Sequence, residues 1–379
     1  MGQTNDTRRG FLGKAALAAP LALAGCDCAE RCGAAAPATL GTRAVRSREL
    51  KMVTTWPKDF PGLGDAAEAT ARLIEAMSGG AMRVRVFSAG ELVGAFEAFD
   101  ATSSGAADLY HGADYYWTGQ DRAYPFFTAV PFGMTAVEQM GWTEFGGGQA
   151  LWDELAARFR IKPFAAGNTG HQMGGWFRRE VETLDDLQGL KIRMPGLGGE
   201  VMRRAGAAAV TIPGTELYQS LQSGVIDATE WVGPWNDLAF GFHREARFYY
   251  WPGFHEPGAQ LAIGLNLDVW DDMTTTERAI VQNAARAANH LSLAEYQAKN
   301  GRALKVLVEE HGVQLRRMPP VVMDALAEAT REVLAEVAET SELAGRIAAS
   351  YRESLAQSGA WNAVADEAYL AARRRSFGL

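Results

Sequence analysis

Cysteine is nearly missing from this 379-residue chain: Cys26, Cys28 and Cys32 are the only three, and none follows residue 32. Most of the chain therefore depends on no disulfide, zinc–cysteine site or cysteine nucleophile. No run of 18 apolar residues occurs, so no segment reads as a transmembrane helix. No extended basic segment occurs either, and the formal charge is −8. That balance argues against nucleic acid as a partner, and it requires any anionic ligand to be held by local cations. The common catalytic signatures are also missing: no G-x-S-x-G, no H-E-x-x-H and no Walker G-x-x-x-x-G-K-[ST]. Gly196-Leu197-Gly198-Gly199 is glycine-rich, but Val201 stands where a dinucleotide fingerprint needs its last glycine. Six histidines are scattered without metal-ligand spacing, and His171, His243 and His255 read as cleft or surface residues rather than catalysts. Combined with an export signal and two α/β lobes, both read below, these absences favour binding over turnover.

What the chain does have begins at its start. Thr7-Arg8-Arg9-Gly10-Phe11-Leu12 precedes an apolar stretch from Ala15 to Ala24, broken only by Pro20. A basic segment followed by a short apolar one and small residues is a secretory signal, and half of the roughly 20 residues that a membrane span needs. The paired arginines before Phe11-Leu12 resemble the twin-arginine export signal. Leu23-Ala24-Gly25-Cys26 resembles a lipobox, which would make Cys26 the lipidated first residue of the mature chain. The alternative is an ordinary small-residue cleavage site with an incidental cysteine. Asp27 then favours retention at the inner membrane. Residues 26–48 read as a flexible tether spanning roughly 25 Å. Removing residues 1–25, whose net charge is +2, takes the chain to −10.

Beyond the tether, apolar periodicity predicts an α/β protein. Strands are expected at Met52–Thr55, Met82–Phe87 and Asp108–Tyr116, separated by helices over 65–77 and 94–102, a pace that suggests parallel βαβ units. A helical region over 135–159 breaks at Gly146-Gly147-Gly148. A second small α/β lobe is expected from Lys162-Pro163, with a strand at Phe164–Gly167, Lys191-Ile192-Arg193 leading to a strand end, and Gly224 as a helix C-cap. The expected organisation is lobe I over 49–160, with later segments returning to it, lobe II over 161–270, and a helical region over 271–379. The apolar stripe of that last region must pack on the lobes or on another subunit.

Several segments stand out: Gly170-His171-Gln172-Met173-Gly174-Gly175-Trp176-Phe177, Lys191-Ile192-Arg193-Met194-Pro195-Gly196, Asp227-Ala228-Thr229-Glu230-Trp231-Val232-Gly233-Pro234 and Gly253-Phe254-His255-Glu256-Pro257-Gly258. In order and spacing, from Thr55-Trp56-Pro57 through Tyr110–Trp117 to the helical tail, the sequence resembles the solute receptors of tripartite ATP-independent periplasmic (TRAP) transporters, the DctP-like family. The second pair of motifs resembles the branch that binds 2-oxo acids and lactate with a cation. The resemblance implies a two-lobed periplasmic-binding-protein-like fold with the ligand cleft between the lobes.

Arg193, at a strand end before Met194-Pro195, is of the type that grips a carboxylate with two parallel bonds, and the resemblance implies that role. Read alone it is equally a structural arginine, and Glu230 and Glu256 are solvated loop acids. The resemblance places Gln172, Glu230, Glu256 and the Trp231 main-chain carbonyl around a cation. Two carboxylates and an anionic ligand against one arginine leave a negative excess that Na⁺ or Ca²⁺ would balance. Tyr115 and Tyr116 are candidates to cap the ligand from the opposite lobe, at least one of them being core. Trp235 and Asn236 are candidates to face the cleft, and Trp56 and Phe60 its entrance. The expected function is capture, without chemical change, of a small organic anion for TRAP membrane subunits. The alternatives are a dicarboxylate, sugar-acid or amino-acid-like solute, or an exported hydrolase using Glu230 or Glu256. Dimerisation through the helices after Thr274 is expected.

Overall fold

The computed structural model describes residues 45–378. The expected signal segment (1–25), Cys26, Cys28, Cys32 and most of the tether lie outside the described residues. Eleven strands are described: β1 (Arg48–Thr54), β2 (Met82–Phe87), β3 (Leu109–Gly112), β4 (Ile161–Asn168), β5 (Gly175–Phe177), β6 (Lys191–Arg193), β7 (Ala208–Val210), β8 (Ala228–Thr229), β9 (Phe248–Trp251), β10 (Gln260–Asn266) and β11 (Gln314–Arg317). They form two mixed sheets, ordered β2-β1-β3-β10-β4 and β11-β9-β5-β8-β6-β7.

In the first sheet β1 pairs in parallel with β2 and β3, while β10 runs antiparallel to β3 and β4. β10 is buried along its whole length, as suits a central strand covered on both faces. Gly264 within it makes room for Tyr110: a Cβ there would lie 2.1 Å from that ring. β2, at the edge, alternates Arg83 and Arg85 with Met82, Val84 and Val86 and so reads correctly from its sequence. In the second sheet β6 lies in parallel between β7 and β8, and β5 is antiparallel to β8 and β9. Stacked rings fill both cores: Phe127 on Trp152 at 5.3 Å in the first lobe, Trp176 on Tyr249 at 4.0 Å in the second.

The sheets divide the chain differently from the boundary expected after residue 160. β4, expected in lobe II, is an edge strand of the first sheet, and β10 returns to that sheet from the second. β11, within the region expected to be helical, joins the second sheet beside β9. Two crossovers, 169–174 and 252–259, therefore link the sheets. A third link is the 35-residue helix Thr275–Glu309, about 52 Å long at 1.5 Å per residue. It packs on β4, on helix Leu63–Met77 and on helix Pro234–Phe240. The strand expected over Asp108–Tyr116 stops at Gly112, and Asp114–Trp117 is a 3₁₀ turn. The reason is Asp114, buried where it accepts from the Tyr110 hydroxyl (2.9 Å) and the Trp152 indole (2.7 Å), which bends the chain out of the sheet.

Helix Pro320–Glu339 packs on helix Gly196–Arg204, and helix Glu342–Val364 on the first-lobe helices Ala136–Phe145 and Gly148–Ala157. Beyond Tyr351 no described residue is buried.

The tether ends sooner than residue 48. Arg46 and Arg48 are bound to Glu277, a fully buried side chain that also caps the long helix by accepting from the Thr274 N–H at 2.9 Å. Burial alone would raise the Glu277 carboxyl. The N–H groups of Thr274 and Arg46 and the Arg48 guanidinium outweigh it and bring it down to about 2 from an ordinary 4.5. Because the folded value is the lower one, this contribution to stability is complete above about pH 4.5 and is lost as pH falls towards 2. Glu277→Ala is expected to cost about 3 kcal/mol in urea unfolding at pH 7, and its deficit should shrink towards pH 2. An unchanged midpoint at pH 7 would contradict the anchor.

Candidate functional site

Four stretches of chain meet between the sheets. β6 ends in Arg193, and its parallel neighbour β8 runs directly into Glu230 and Trp231. These are carboxyl ends of strands, where open α/β sheets bind ligands. The crossover 169–174 brings Gln172, and the crossover 252–259 brings His255 and Glu256. Backbone bonds stitch the three loops together: the Gln172 N–H donates to the Glu256 carbonyl, Gly253 to the Gln172 carbonyl and Met173 to the Val232 carbonyl, each at 3.1 Å. From the first lobe, the turn Asp114–Trp117 brings Tyr115 and Tyr116 against them. Gly196, with φ 60°, lets Tyr115 close in, because a Cβ there would meet Tyr115 Cβ at 3.1 Å.

Arg193 is 1% exposed and Glu230 fully buried, and the guanidinium Nη1 is bonded directly to Glu230 Oε1. Nη1 also donates to the Glu230 carbonyl (3.3 Å), Nε to the Ile212 carbonyl (3.2 Å) and Nη2 to the Tyr116 hydroxyl (3.4 Å). The guanidinium lies 5.1 Å from the centre of the Trp231 ring. Glu230 Oε2 is 3.3 Å from His255 Nε2. Gln172 Nε2 donates to Glu256 Oε2 (2.7 Å) and to Thr169 Oγ1 (3.0 Å). Burial lowers the Arg193 guanidinium, but Glu230 and the two tyrosines more than offset it, so it stays charged. Burial, and then repulsion from Glu230, pushes Glu256 well above the usual carboxylate range. Arg193 and a bond with Tyr115 act the other way. Burial likewise raises both tyrosines.

Glu230, His255 and Glu256 present ligand atoms within 4.8 Å of one another. Gln172 Oε1 is buried without a hydrogen-bond partner among the described residues. Two carboxyl groups and an orphaned amide oxygen are hard donors, and they fit sodium or calcium. His255 adds a nitrogen that the spacing of the histidines gave no reason to expect. Only its place next to Glu256 hinted at it.

Arg193, Gln172, Glu230, Trp231, Glu256, Tyr115 and Tyr116 are thus brought together. Asn236 is not: its amide donates to the Pro61 carbonyl (2.9 Å) and accepts from Tyr296 (2.7 Å), tying helix Pro234–Phe240 to the long helix instead. Trp235 packs on Tyr296 and Lys299. Trp56 and Phe60 form walls rather than an entrance. Both are buried, Trp56 donating to His111 Nδ1 (2.8 Å) and Phe60 meeting Trp231 edge-on at 6.0 Å. His171 is exposed, and His243 is half-buried and stacked on His311.

Residues 52–341 match the DctP family of bacterial extracellular solute-binding proteins, family 7. A monocarboxylate 2-oxoacid-binding periplasmic protein of Nostoc sp. is 38% identical over 319 residues, covering 84% of this chain and 87% of the relative. A solved TRAP periplasmic solute-binding protein from Pseudoalteromonas atlantica, with bound sodium and pyruvate, superposes with a TM-score of 0.84 at 40% identity, covering 88% of this chain and all of that one. Another from Bordetella bronchiseptica, a mixed-occupancy dimer with calcium and picolinate, gives 0.85 at 31% identity, covering 87% and 99%.

At the rim, Arg122 of the first lobe meets Glu200 of helix Gly196–Arg204 at 2.5 Å, both partly exposed. A rim ion pair of this kind contributes on the order of 0.5–1 kcal/mol, so Arg122→Ala should weaken solute binding about threefold, read as faster release in stopped flow. An unaltered release rate would exclude the pair from closure.

Proposed function

Since the chain belongs to the family 7 bacterial extracellular solute-binding proteins, the periplasmic solute receptors of TRAP transporters, we propose that it captures a small monocarboxylate together with sodium or calcium. The solute is a 2-oxo or 2-hydroxy acid such as pyruvate or lactate, and it is handed unchanged to the transporter's membrane subunits. The observation that carries this reading is the burial of one guanidinium beside two carboxyl groups, Arg193 with Glu230 and Glu256. Arg193 supplies the charge for a ligand carboxylate, and the Tyr116 hydroxyl next to Nη2 orients it. Glu230, Glu256, Gln172 Oε1 and the Trp231 carbonyl hold the cation, which supplies the positive charge that a second anion in this site requires. Tyr115 and Gly196 close the lobes and exclude water. A second ligand carboxylate would face Glu230 and Glu256, which disfavours dicarboxylates.

Calorimetry with pyruvate, lactate and a dicarboxylate on chelated protein, then with sodium or calcium restored, tests this. Binding of the monocarboxylates with cation is expected, and none under any condition would refute the assignment. Arg193→Ala should weaken that binding at least about a hundredfold, since a lost charged pair costs on the order of 3 kcal/mol.

Two further features belong to the same reading. Arg8-Arg9 and Leu23–Cys26 support twin-arginine export followed by lipidation of Cys26 at the inner membrane. Cys26→Ala should then move the protein from the membrane to the soluble periplasmic fraction. The final helices Glu342–Val364 and Asp366–Phe377 expose Trp361 (68%) and Phe377 (76%), with Val364 and Tyr369 between them. That apolar surface supports a homodimer through the tail. Sedimentation should give a dimer that truncation after residue 360 turns into a monomer, and a monomeric full chain would exclude it.

A further inference from the structure

Arg193 has five N–H groups, and their partners constrain how it meets a ligand. A carboxylate is gripped by two parallel bonds, either side-on by Nε and Nη2 or end-on by Nη1 and Nη2. Nε is bonded to the Ile212 carbonyl at 3.2 Å, so the side-on fork is closed by backbone. Nη1 is bonded twice to Glu230, at its carbonyl and at Oε1, so the end-on fork is closed by a side chain. Backbone in a loop fixed between β7 and its neighbours does not step aside easily. A carboxylate on rotatable bonds does. Glu230 therefore occupies the place of a solute carboxylate, and being part of the chain it competes at high effective concentration.

The other oxygen of Glu230 faces His255, and Glu230 shares its surroundings with Glu256 inside 4.8 Å. A cation between the two acids removes their repulsion and takes up the charge that Glu230 otherwise gives to Arg193. We propose that Glu230 is an internal stand-in for the solute, which keeps Arg193 occupied until cation capture draws it away, so that the cation binds first and the solute second. The inference rests on the cation-and-carboxylate reading above and adds to it an order and an obligatory coupling. By linkage, whatever factor the cation contributes to solute affinity, the solute returns to cation affinity.

The test uses the full mature chain, stripped of metal in a choline buffer with chelator. Calcium alone, and pyruvate with and without calcium, are titrated into wild type, Glu230→Gln and Arg193→Gln. Wild type should bind calcium without pyruvate, and pyruvate without cation should bind roughly a hundredfold more weakly than with it. Glu230→Gln, which keeps the shape of the side chain but gives up its charge, should bind pyruvate without cation at least about tenfold tighter than wild type does, with little further gain from calcium. Pyruvate binding in Glu230→Gln no tighter than in cation-free wild type overturns the proposal. So does wild-type binding that ignores the cation. If wild type binds no monocarboxylate under any condition, the proposed function fails and the calcium titrations alone decide this point. Arg193→Gln should bind calcium at least about tenfold tighter than wild type because Glu230 is freed, and equal affinities overturn the stand-in role.

Discussion

Glu230 and Glu256 are buried side by side, and the Arg193 guanidinium is bonded to the first of them. A buried charge persists only when paired and hydrogen-bonded, so this arrangement dictates most of what surrounds it. Arg193 is held by fixed carbonyls of Ile212 and Glu230 as well as by the carboxylate, which leaves little freedom in its orientation. Glu256 lacks an arginine of its own. It is turned towards the Gln172 amide, and burial and Glu230 keep it on the side of its neutral form. The site is balanced as it stands, and an added anion would unbalance it. That is the physical reason for a receptor of this construction to take an anion and a cation together.

The placement of these groups couples binding to closure. Gln172 and Glu256 ride on the two crossovers, 169–174 and 252–259, that join the two sheets. Arg193 and Glu230 are fixed to the second sheet, and Tyr115 and Tyr116 come from the first. An occupant that touches all three sets has a different interaction energy with open and closed arrangements, and only such a difference shifts the equilibrium between them. Helix Thr275–Glu309 contacts both β4 and helix Pro234–Phe240 and so ties the two lobes together a third time. Asn236, expected in the cleft, instead serves this framework by bridging Pro61 and Tyr296.

Local pattern made much of this legible. Met82–Phe87 alternates as an edge strand must, and Gly224 adopts the left-handed φ of 78° that its place after a helix implies. Arg193 could be placed at a strand end because Met194-Pro195 stops the strand. Pairings between distant segments were not legible. Nothing near Ile161 or Gln260 says that these strands lie together in the first sheet, since that depends on which exposed edge each meets. The same holds for Glu230 and Glu256, separated by helix Pro234–Phe240 and β9. Resemblance to a family brought them together where periodicity could not. Asn236 shows the limit of that inference: its place next to the motif suggests a polar side chain facing the ligand, yet its amide is bonded to Pro61 and Tyr296. His255 is the opposite case: a lone histidine carries little signal in the sequence, and only the fold sets it against Glu230.

Behind the site both lobes use the same device. In the first lobe buried Asp114 accepts from Tyr110 and Trp152, which fixes the turn that presents Tyr115 and Tyr116. In the second, buried Asp237 accepts from Trp176 (3.0 Å), Tyr249 (2.6 Å) and the Val232 N–H (3.2 Å), which fixes the segment leaving Glu230 and Trp231. Burial outweighs the donors, which pull the other way, and each carboxyl is raised to about 7. Neither acid has a cation beside it among the described residues, so each is held by oriented dipoles of an indole and a phenol. Indole and phenol rings are large and tightly packed, and they transmit the geometry of the core to the turn with little play. Rigid supports of this kind let the few side chains that must move, Glu230 above all, move between defined positions while their backbones stay still.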